Sequence, residues 1–128
     1  MKTVNLQKQK LGKLGENYAK SFLISQNYLI IKENFHARCG EIDIIAYDQA
    51  AKQLVFVEVK TRISFKFGSI EESITPLKIQ KILKTIQKFF ISGATHYFKD
   101  WRIDLIAVKL NSQSHLIDLQ QFKSIFDG

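Results

Sequence analysis

The pattern of apolar and polar residues predicts an amphipathic helix near the start of the chain. Over residues 9–26, apolar side chains recur at intervals of three and four positions, which places them on one stripe of a helix. These residues are Leu11, Leu14, Tyr18 and Phe22. Gly15 lies beside the stripe, where the absence of a side chain would allow close packing on a sheet. Asn27 is predicted to end the helix.

Three strands are predicted after this helix. Residues 28–31, 40–47 and 54–62 are rich in β-branched and aromatic residues, whereas residues 32–40 are polar and are predicted to be irregular. The loop at residues 48–53 is short and polar, so the second and third strands are predicted to form a hairpin.

A second helix is predicted over residues 76–92, with clear signals at both ends. Thr75 is suited to the N-cap, Pro76 to the first helical position and Gly93 to the stop. Its predicted buried face consists of Ile79, Ile82, Leu83, Ile86, Phe89 and Phe90. A strand at residues 101–108, an edge strand at 115–119 and a cover formed by Phe122 and Phe126 complete the prediction.

These elements predict a single α/β domain spanning residues 1–128. Their order is α-β-β-β-α-β with a short end piece, which favours a mixed central sheet flanked by helices. A chain of 128 residues is long enough to bury a hydrophobic core of its own.

The predicted hairpin carries acidic residues inside otherwise apolar strands. Side chains alternate along a strand, so Glu58 and Lys60 share a face that begins apolar. Burying a lone carboxylate costs on the order of several kcal/mol unless the group is paired or coordinated. The hairpin would also bring Asp43 close to Glu58. Two carboxylates with a lysine beside them suit Mg²⁺ and metal-assisted cleavage of a phosphodiester.

Asp43 and the Glu58-Val59-Lys60 triplet resemble the PD-(D/E)XK signature of restriction-endonuclease-like nucleases. More narrowly, the chain resembles the YraN family of small bacterial proteins, which is related to archaeal Holliday-junction resolvases. Residues 38–46, 55–62, 67–68, 75–78 and 102–108 carry this resemblance. It implies a restriction-endonuclease-like fold, with Mg²⁺ or Mn²⁺ held by Asp43, Glu58 and the Val59 carbonyl.

Three further carboxylates have more than one interpretation. The resemblance makes Glu16 an auxiliary metal ligand, but Glu16 is equally consistent with a solvated helix carboxylate paired to Lys13 or Lys20. Glu41 is either an outer carboxylate of the site or a partner of Arg38. Asp104 is expected to pair with Arg102 or a lysine rather than to enter the site. The sequence leaves the first two choices open.

The charge of the chain favours a polyanionic partner. The net charge is +7 and the pI is about 9.5, and basic residues cluster after the proposed acidic site. The predicted DNA contacts are Arg38, Arg62, Lys66, Lys78, Lys81, Lys84 and Lys88, of which the last four form a ridge on the second helix. A lysine ridge is also the ordinary solvated face of a helix.

The predicted function is that of a metal-dependent DNA endonuclease, with branched or flapped DNA as candidate substrates. The alternatives are a non-catalytic DNA-binding or adaptor module of the same fold and, less favoured, an RNA-binding protein. A homodimer would suit cleavage of two strands. The single cysteine, the polar N-terminus and the lack of a long apolar run favour a cytoplasmic protein with no membrane span.

Overall fold

Two helices and five strands make up the described part of the chain. The structure is a computed structural model, and it describes residues 2–63, 74–93 and 100–127. The helices are α1 (Lys2–Ser25) and α2 (Pro76–Ile91). The strands are β1 (Tyr28–Ala37), β2 (Gly40–Asp48), β3 (Gln53–Ile63), β4 (Trp101–Leu110) and β5 (Leu116–Asp127).

The five strands form one mixed sheet in the order β1-β2-β3-β4-β5. Neighbouring strands are antiparallel except for β3 and β4, which are parallel. The parallel pair follows from the chain segment between them, because parallel neighbours need a crossover connection and α2 lies in that segment. The prediction of a mixed sheet flanked by helices is therefore confirmed, and the arrangement is compatible with a restriction-endonuclease-like fold.

The central strand β3 is buried on both faces and separates two hydrophobic layers. Val55 and Val57 belong to the layer formed with α1, whereas Leu54 and Phe56 belong to the layer formed with α2. In the second layer the Phe56 ring lies 5.7 Å, centroid to centroid, from both Phe89 and Trp101, in edge-to-face geometry. Glu58 and Lys60 therefore follow directly on a run of β3 that is packed on both faces.

The ends of the helices follow the sequence signals. Asn27 has a φ of 68°, a left-handed conformation that asparagine tolerates, and α1 ends two residues before it. Thr75 Oγ1 accepts a hydrogen bond from the Lys78 backbone N–H at 3.1 Å, and Pro76 follows at the first helical position. Gly93, with a φ of 103°, lies just beyond α2. These end signals are confirmed.

Three predictions of secondary structure are wrong: α1 begins at Lys2 rather than near residue 9, and the other two errors concern edge strands. The polar segment predicted to be irregular from Lys32 continues β1 as far as Ala37, and the short strand predicted at 115–119 extends to Asp127. Edge strands have one unpaired side in solvent, so they accept polar residues that obscure the alternation. A register irregularity between Ile30 and Lys32 further disrupts the pattern of β1.

A buried polar network links β4 to residues of β1 and β2. Arg102 Nε donates to Asp104 Oδ1 at 2.9 Å, and Arg102 Nη2 donates to Asp48 Oδ2 and to the Tyr28 hydroxyl at 3.0 Å. The Arg102 and Asp104 side chains are 3% and 0% exposed. The prediction that Asp104 pairs with Arg102 is confirmed.

No helix in the described part of the chain is long and apolar enough to cross a bilayer.

Candidate metal centre

Asp43 and Glu58 lie at neighbouring positions of the β2–β3 hairpin, as the sequence predicts. The paired residues of this ladder end at Ile44 and Val57, so Asp43 and Glu58 are the next residues along the two strands. Both side chains are buried, since Asp43 is 8% and Glu58 is 7% exposed. The short hairpin loop therefore fixes two carboxylates side by side at the point where the pairing of the strands stops.

The Asp43 carboxylate is held by the backbone of β3. Asp43 Oδ2 accepts a hydrogen bond from the Val59 N–H at 2.8 Å. Burial and the adjacent charge of Glu58 raise the pKa of Asp43 to about 7, although the Val59 hydrogen bond opposes the rise. A cation between the two carboxylates would relieve both the burial and the repulsion. Coordination by the Val59 carbonyl stays a prediction.

Two lysines contact the same oxygen of Glu58. Lys60 Nζ lies 3.7 Å and Lys78 Nζ lies 3.3 Å from Glu58 Oε1. Lys60 follows Glu58 on the same face of β3, as expected from alternation. Lys78 comes from the first turn of α2, which packs over that face of the sheet. The structure thus adds a second cation to the predicted acidic pair and lysine.

Glu16 is carried towards the same region by the close approach of α1 to β3. A methyl group at Gly15 would collide with the Thr61 side chain, so only glycine fits where the helix crosses the residue after Lys60. The expectation of close packing at Gly15 is confirmed. Burial raises the pKa of Glu16, and Lys13 opposes the rise. The negative charges of Glu41, Glu33 and Glu58 raise this pKa further.

Ion pairs near the site bear on the open interpretations of Glu16 and Glu41. Lys20 Nζ pairs with Glu33 Oε2 at 2.9 Å, so it is not the partner of Glu16. Glu41 Oε2 lies 3.1 Å from His36 Nδ1, in an exposed pair on β1 and β2. The carboxylate of Glu41 is nevertheless near enough to add to the repulsion felt by Asp43.

Five other predicted nucleic-acid contacts are exposed side chains. Lys81, Lys84 and Lys88 are exposed along α2, Arg38 is exposed in the turn between β1 and β2, and Arg62 is exposed near the end of β3. Arg62 Nη1 donates to the adjacent Thr61 carbonyl at 2.9 Å. Lys66 lies outside the described residues. DNA contact by all of these residues stays a prediction.

The contact of Lys78 with Glu58 is the feature that sequence reasoning missed. Lys78 is the third residue of α2, and no acidic residue occupies the first turn. A lysine at this end of a helix interacts unfavourably with the helix dipole, which is a weak signal of a nearby anion. That signal is present in the Thr75-Pro76-Leu77-Lys78 segment, although it does not identify which anion is the partner.

The donor set suits a hard divalent cation that keeps several non-protein ligands. Asp43 and Glu58 supply carboxylate oxygens, and Mg²⁺ commonly takes one or two carboxylates together with water and phosphate oxygens. Within residues 2–63, 74–93 and 100–127, no group of three or more His, Cys, Asp or Glu side chains is placed to hold a metal. An ion at this pair would therefore take its other ligands from water, backbone carbonyls or substrate.

The fold and this site define a mixed α/β domain with a carboxylate pair and lysines at the open end of a hairpin. The chain belongs to the uncharacterised protein family UPF0102, whose sequence profile matches residues 15–108. It is 40% identical over 116 residues to a UPF0102 protein of Clostridium botulinum strain Kyoto, covering 91% of this chain and 93% of the relative. It is 39% identical over 121 residues to one of Caldicellulosiruptor bescii, covering 92% and 98%. UPF0102 is the family to which YraN belongs, so the resemblance to the YraN family is confirmed.

Proposed function

We propose that the chain is a metal-dependent nuclease that hydrolyses phosphodiester bonds in DNA, with Mg²⁺ or Mn²⁺ held by Asp43 and Glu58. The observation that carries the proposal is the pair of buried carboxylates on adjacent strands, with Lys60 on the same face as Glu58. The resemblance to the PD-(D/E)XK signature supports the same assignment. The relatives are named only by their family and do not bear on activity.

The electrostatics of the pair support a role for a cation. Two adjacent carboxylates in a buried position repel each other, and each loses hydration on folding. The raised pKa of Asp43 expresses that cost. Because the fold keeps this unfavourable arrangement on its buried central hairpin, we infer that the arrangement serves a ligand rather than stability.

Each side chain has a role that follows from its position. A divalent ion bound here would lower the pKa of a coordinated water and stabilise charge on the phosphate. Asp43 and Glu58 supply ligands, and the Val59 N–H orients Asp43. Lys60, anchored on the same strand as Glu58, positions or deprotonates the attacking water or offsets charge in the transition state. Among the described residues, Glu16 is not grouped with Asp43 and Glu58 as a direct ligand, so its proposed role is to orient a water of the site.

The charge of the protein supports DNA as the substrate class. The chain carries +7 net charge, and α2 presents exposed lysines on the element that also contributes Lys78 to the site. Basic side chains of this kind bind the phosphate backbone without reading the sequence of bases. We therefore propose DNA bound through its backbone. The resolvase resemblance makes branched DNA the first substrate to test.

A non-catalytic DNA-binding module is the second candidate, and one observation favours it. Lys60 and Lys78 both contact Glu58 Oε1, so their positive charges already compensate the charge of this carboxylate without a metal. Such a closed ion network can be a structural feature of a domain that binds DNA without cleaving it. The two candidates differ only in bond cleavage, because the basic surface is common to both.

Single-turnover cleavage of duplex, flap and four-way-junction DNA in Mn²⁺ tests the proposal. Lys60→Met keeps most of the apolar stem but removes the charge, so it should lower the cleavage rate roughly 10²-fold or more. DNA affinity should fall only slightly. Lys123→Met is the matched control, because Lys123 is an exposed lysine on β5 outside the site and should cleave as the wild type does.

The pattern of results distinguishes the candidates. Wild-type protein that binds these DNAs but cuts none of them would favour the non-catalytic module. Equal cleavage by wild type and Lys60→Met would indicate a contaminating nuclease or a different active site. Loss of cleavage in Asp43→Asn and Glu58→Gln, with DNA binding retained, is the result expected of the proposed metal pair.

A further inference from the structure

Lys78 occupies an unusual position between the candidate metal centre and the protein surface. Its Nζ is 3.3 Å from Glu58 Oε1, and its side chain is 37% exposed, whereas the Glu58 side chain is 8% exposed. Lys60 approaches the same oxygen at 3.7 Å and is 22% exposed. The carboxylate is therefore shared by one lysine of its own strand and one lysine of a different element.

The two lysines differ in their freedom to leave Glu58. Lys60 lies two residues along β3 and shares the face of Glu58, so the strand itself keeps it near the carboxylate. Lys78 reaches Glu58 from α2 across the interface between helix and sheet, and its long side chain is partly in solvent. The helix dipole also opposes a cation in the first turn of α2. Lys78 is thus held at the site mainly by its ion pair with Glu58.

The two lysines offset part of the attraction that Asp43 and Glu58 exert on a metal ion in the free protein. When Asp43 and Glu58 are ionised, Lys60 and Lys78 balance them, so a divalent ion would bring an excess of two positive charges. A phosphodiester supplies one negative charge and an alternative acceptor for an ammonium group. A metal ion and a phosphate together therefore suit the site better than the metal ion alone.

We propose that Lys78 couples metal binding to phosphodiester binding, by pairing with Glu58 in the free protein and moving to a DNA phosphate when a divalent ion takes its place. This inference rests on the proposed nuclease function, and it gives Lys78 a positioning role beyond that of a DNA contact. The position of Lys78 supports the exchange, since Lys81 follows one turn later on the same helix and is exposed. DNA following these lysines would bring phosphate towards Glu58.

Calorimetric titration of the full chain with Mn²⁺ tests the inference without relying on activity. Lys78→Gln removes the competing cation, so Mn²⁺ should bind roughly tenfold more tightly than to wild type when DNA is absent. Lys78→Arg keeps the cation and should restore affinity close to that of wild type. Lys123→Gln removes an exposed lysine on β5 and controls for the change in net charge.

A second titration, with a short phosphorothioate duplex present to slow hydrolysis, measures the coupling. DNA should tighten Mn²⁺ binding to wild type by roughly tenfold, and it should do so by a clearly smaller factor in Lys78→Gln. Linkage requires Mn²⁺ to tighten DNA binding by the same factor, which DNA titrations at fixed Mn²⁺ check independently.

The outcomes separate this inference from the function on which it rests. If Asp43→Asn abolishes Mn²⁺ binding but Lys78→Gln binds Mn²⁺ no more tightly than wild type does, the role of Lys78 is refuted and the metal site stands. An equal effect of DNA on wild type and Lys78→Gln also refutes it. Failure of wild type to bind Mn²⁺, with or without DNA, refutes both proposals.

Discussion

Asp43→Asn should stabilise the metal-free protein at pH 8, because it removes one of two adjacent buried carboxylates. Asparagine has nearly the same shape, and its side-chain oxygen can accept the hydrogen bond that Asp43 Oδ2 accepts from the Val59 N–H at 2.8 Å. The substitution therefore removes the negative charge of Asp43 while keeping the shape of the side chain and its hydrogen bond. It also removes a proposed metal ligand, so stability without metal and stabilisation by metal should change in opposite directions.

The magnitude follows from the raised pKa of Asp43. Burial and Glu58 raise this pKa from 3.8 to about 7. The difference is about 3 pH units, and each unit corresponds to about 1.4 kcal/mol, so ionising Asp43 in the fold costs at most about 4 kcal/mol. Relaxation of the site reduces this ceiling, and we expect Asp43→Asn to gain about 1–3 kcal/mol in free energy of unfolding at pH 8.

The sign of the pH dependence is determined by which state keeps the proton. The unfolded chain releases the Asp43 proton near pH 3.8, whereas the folded chain keeps it until about pH 7. This group's contribution to stability is therefore fully present below pH 3.8, falls as the pH rises to about 7, and is lost above that. Asp43→Asn should lack this fall.

Urea unfolding in EDTA from pH 4 to pH 8 measures the effect, and a parallel series in Mn²⁺ measures stabilisation by metal. Asp118→Asn, at an exposed position on β5, is the control and should change stability by less than about 0.5 kcal/mol. An Asp43→Asn variant less stable than wild type at pH 8 in EDTA would refute the reasoning, since the carboxylate would then stabilise the fold. Equal stabilisation of both proteins by Mn²⁺ would place the metal elsewhere.

Three further predictions concern the surface and the core. Converting Lys84 and Lys88 to Gln should flatten the salt dependence of DNA affinity by about 2 units, one per lost phosphate contact, and an unchanged slope would exclude this helix from the DNA surface. Gly15→Ala should lower the free energy of unfolding by about 1–3 kcal/mol through collision with Thr61, and failure of Thr61→Ala to rescue it would refute that cause. Asp104→Ala should lower it by about 3 kcal/mol, because a buried guanidinium loses a partner, and a neutral effect in urea unfolding would contradict this account.

The central hairpin and the acidic pair within it were predictable from the sequence. Apolar β-branched runs on either side of a short polar loop specify the two strands, and the number of residues between Asp43 and Glu58 brings them to neighbouring positions. The ends of α2 were equally predictable, because Thr75 and Gly93 act through local backbone geometry. Local interactions of this kind are encoded by adjacent residues.

Which charges meet at the site and how far the edge strands extend depend on contacts between elements that are distant in the sequence. The polar second half of β1 is a strand because it pairs with β2. The pattern of apolar and polar residues in β1 does not predict this pairing. The contact between Lys78 and Glu58 depends on how α2 packs over the sheet, and residues twenty positions apart are brought together by that packing alone. A sequence pattern predicts which residues share a face of a helix or strand and where that element ends. The distance between two charges that are far apart in the sequence is determined by the packing of the elements that carry them.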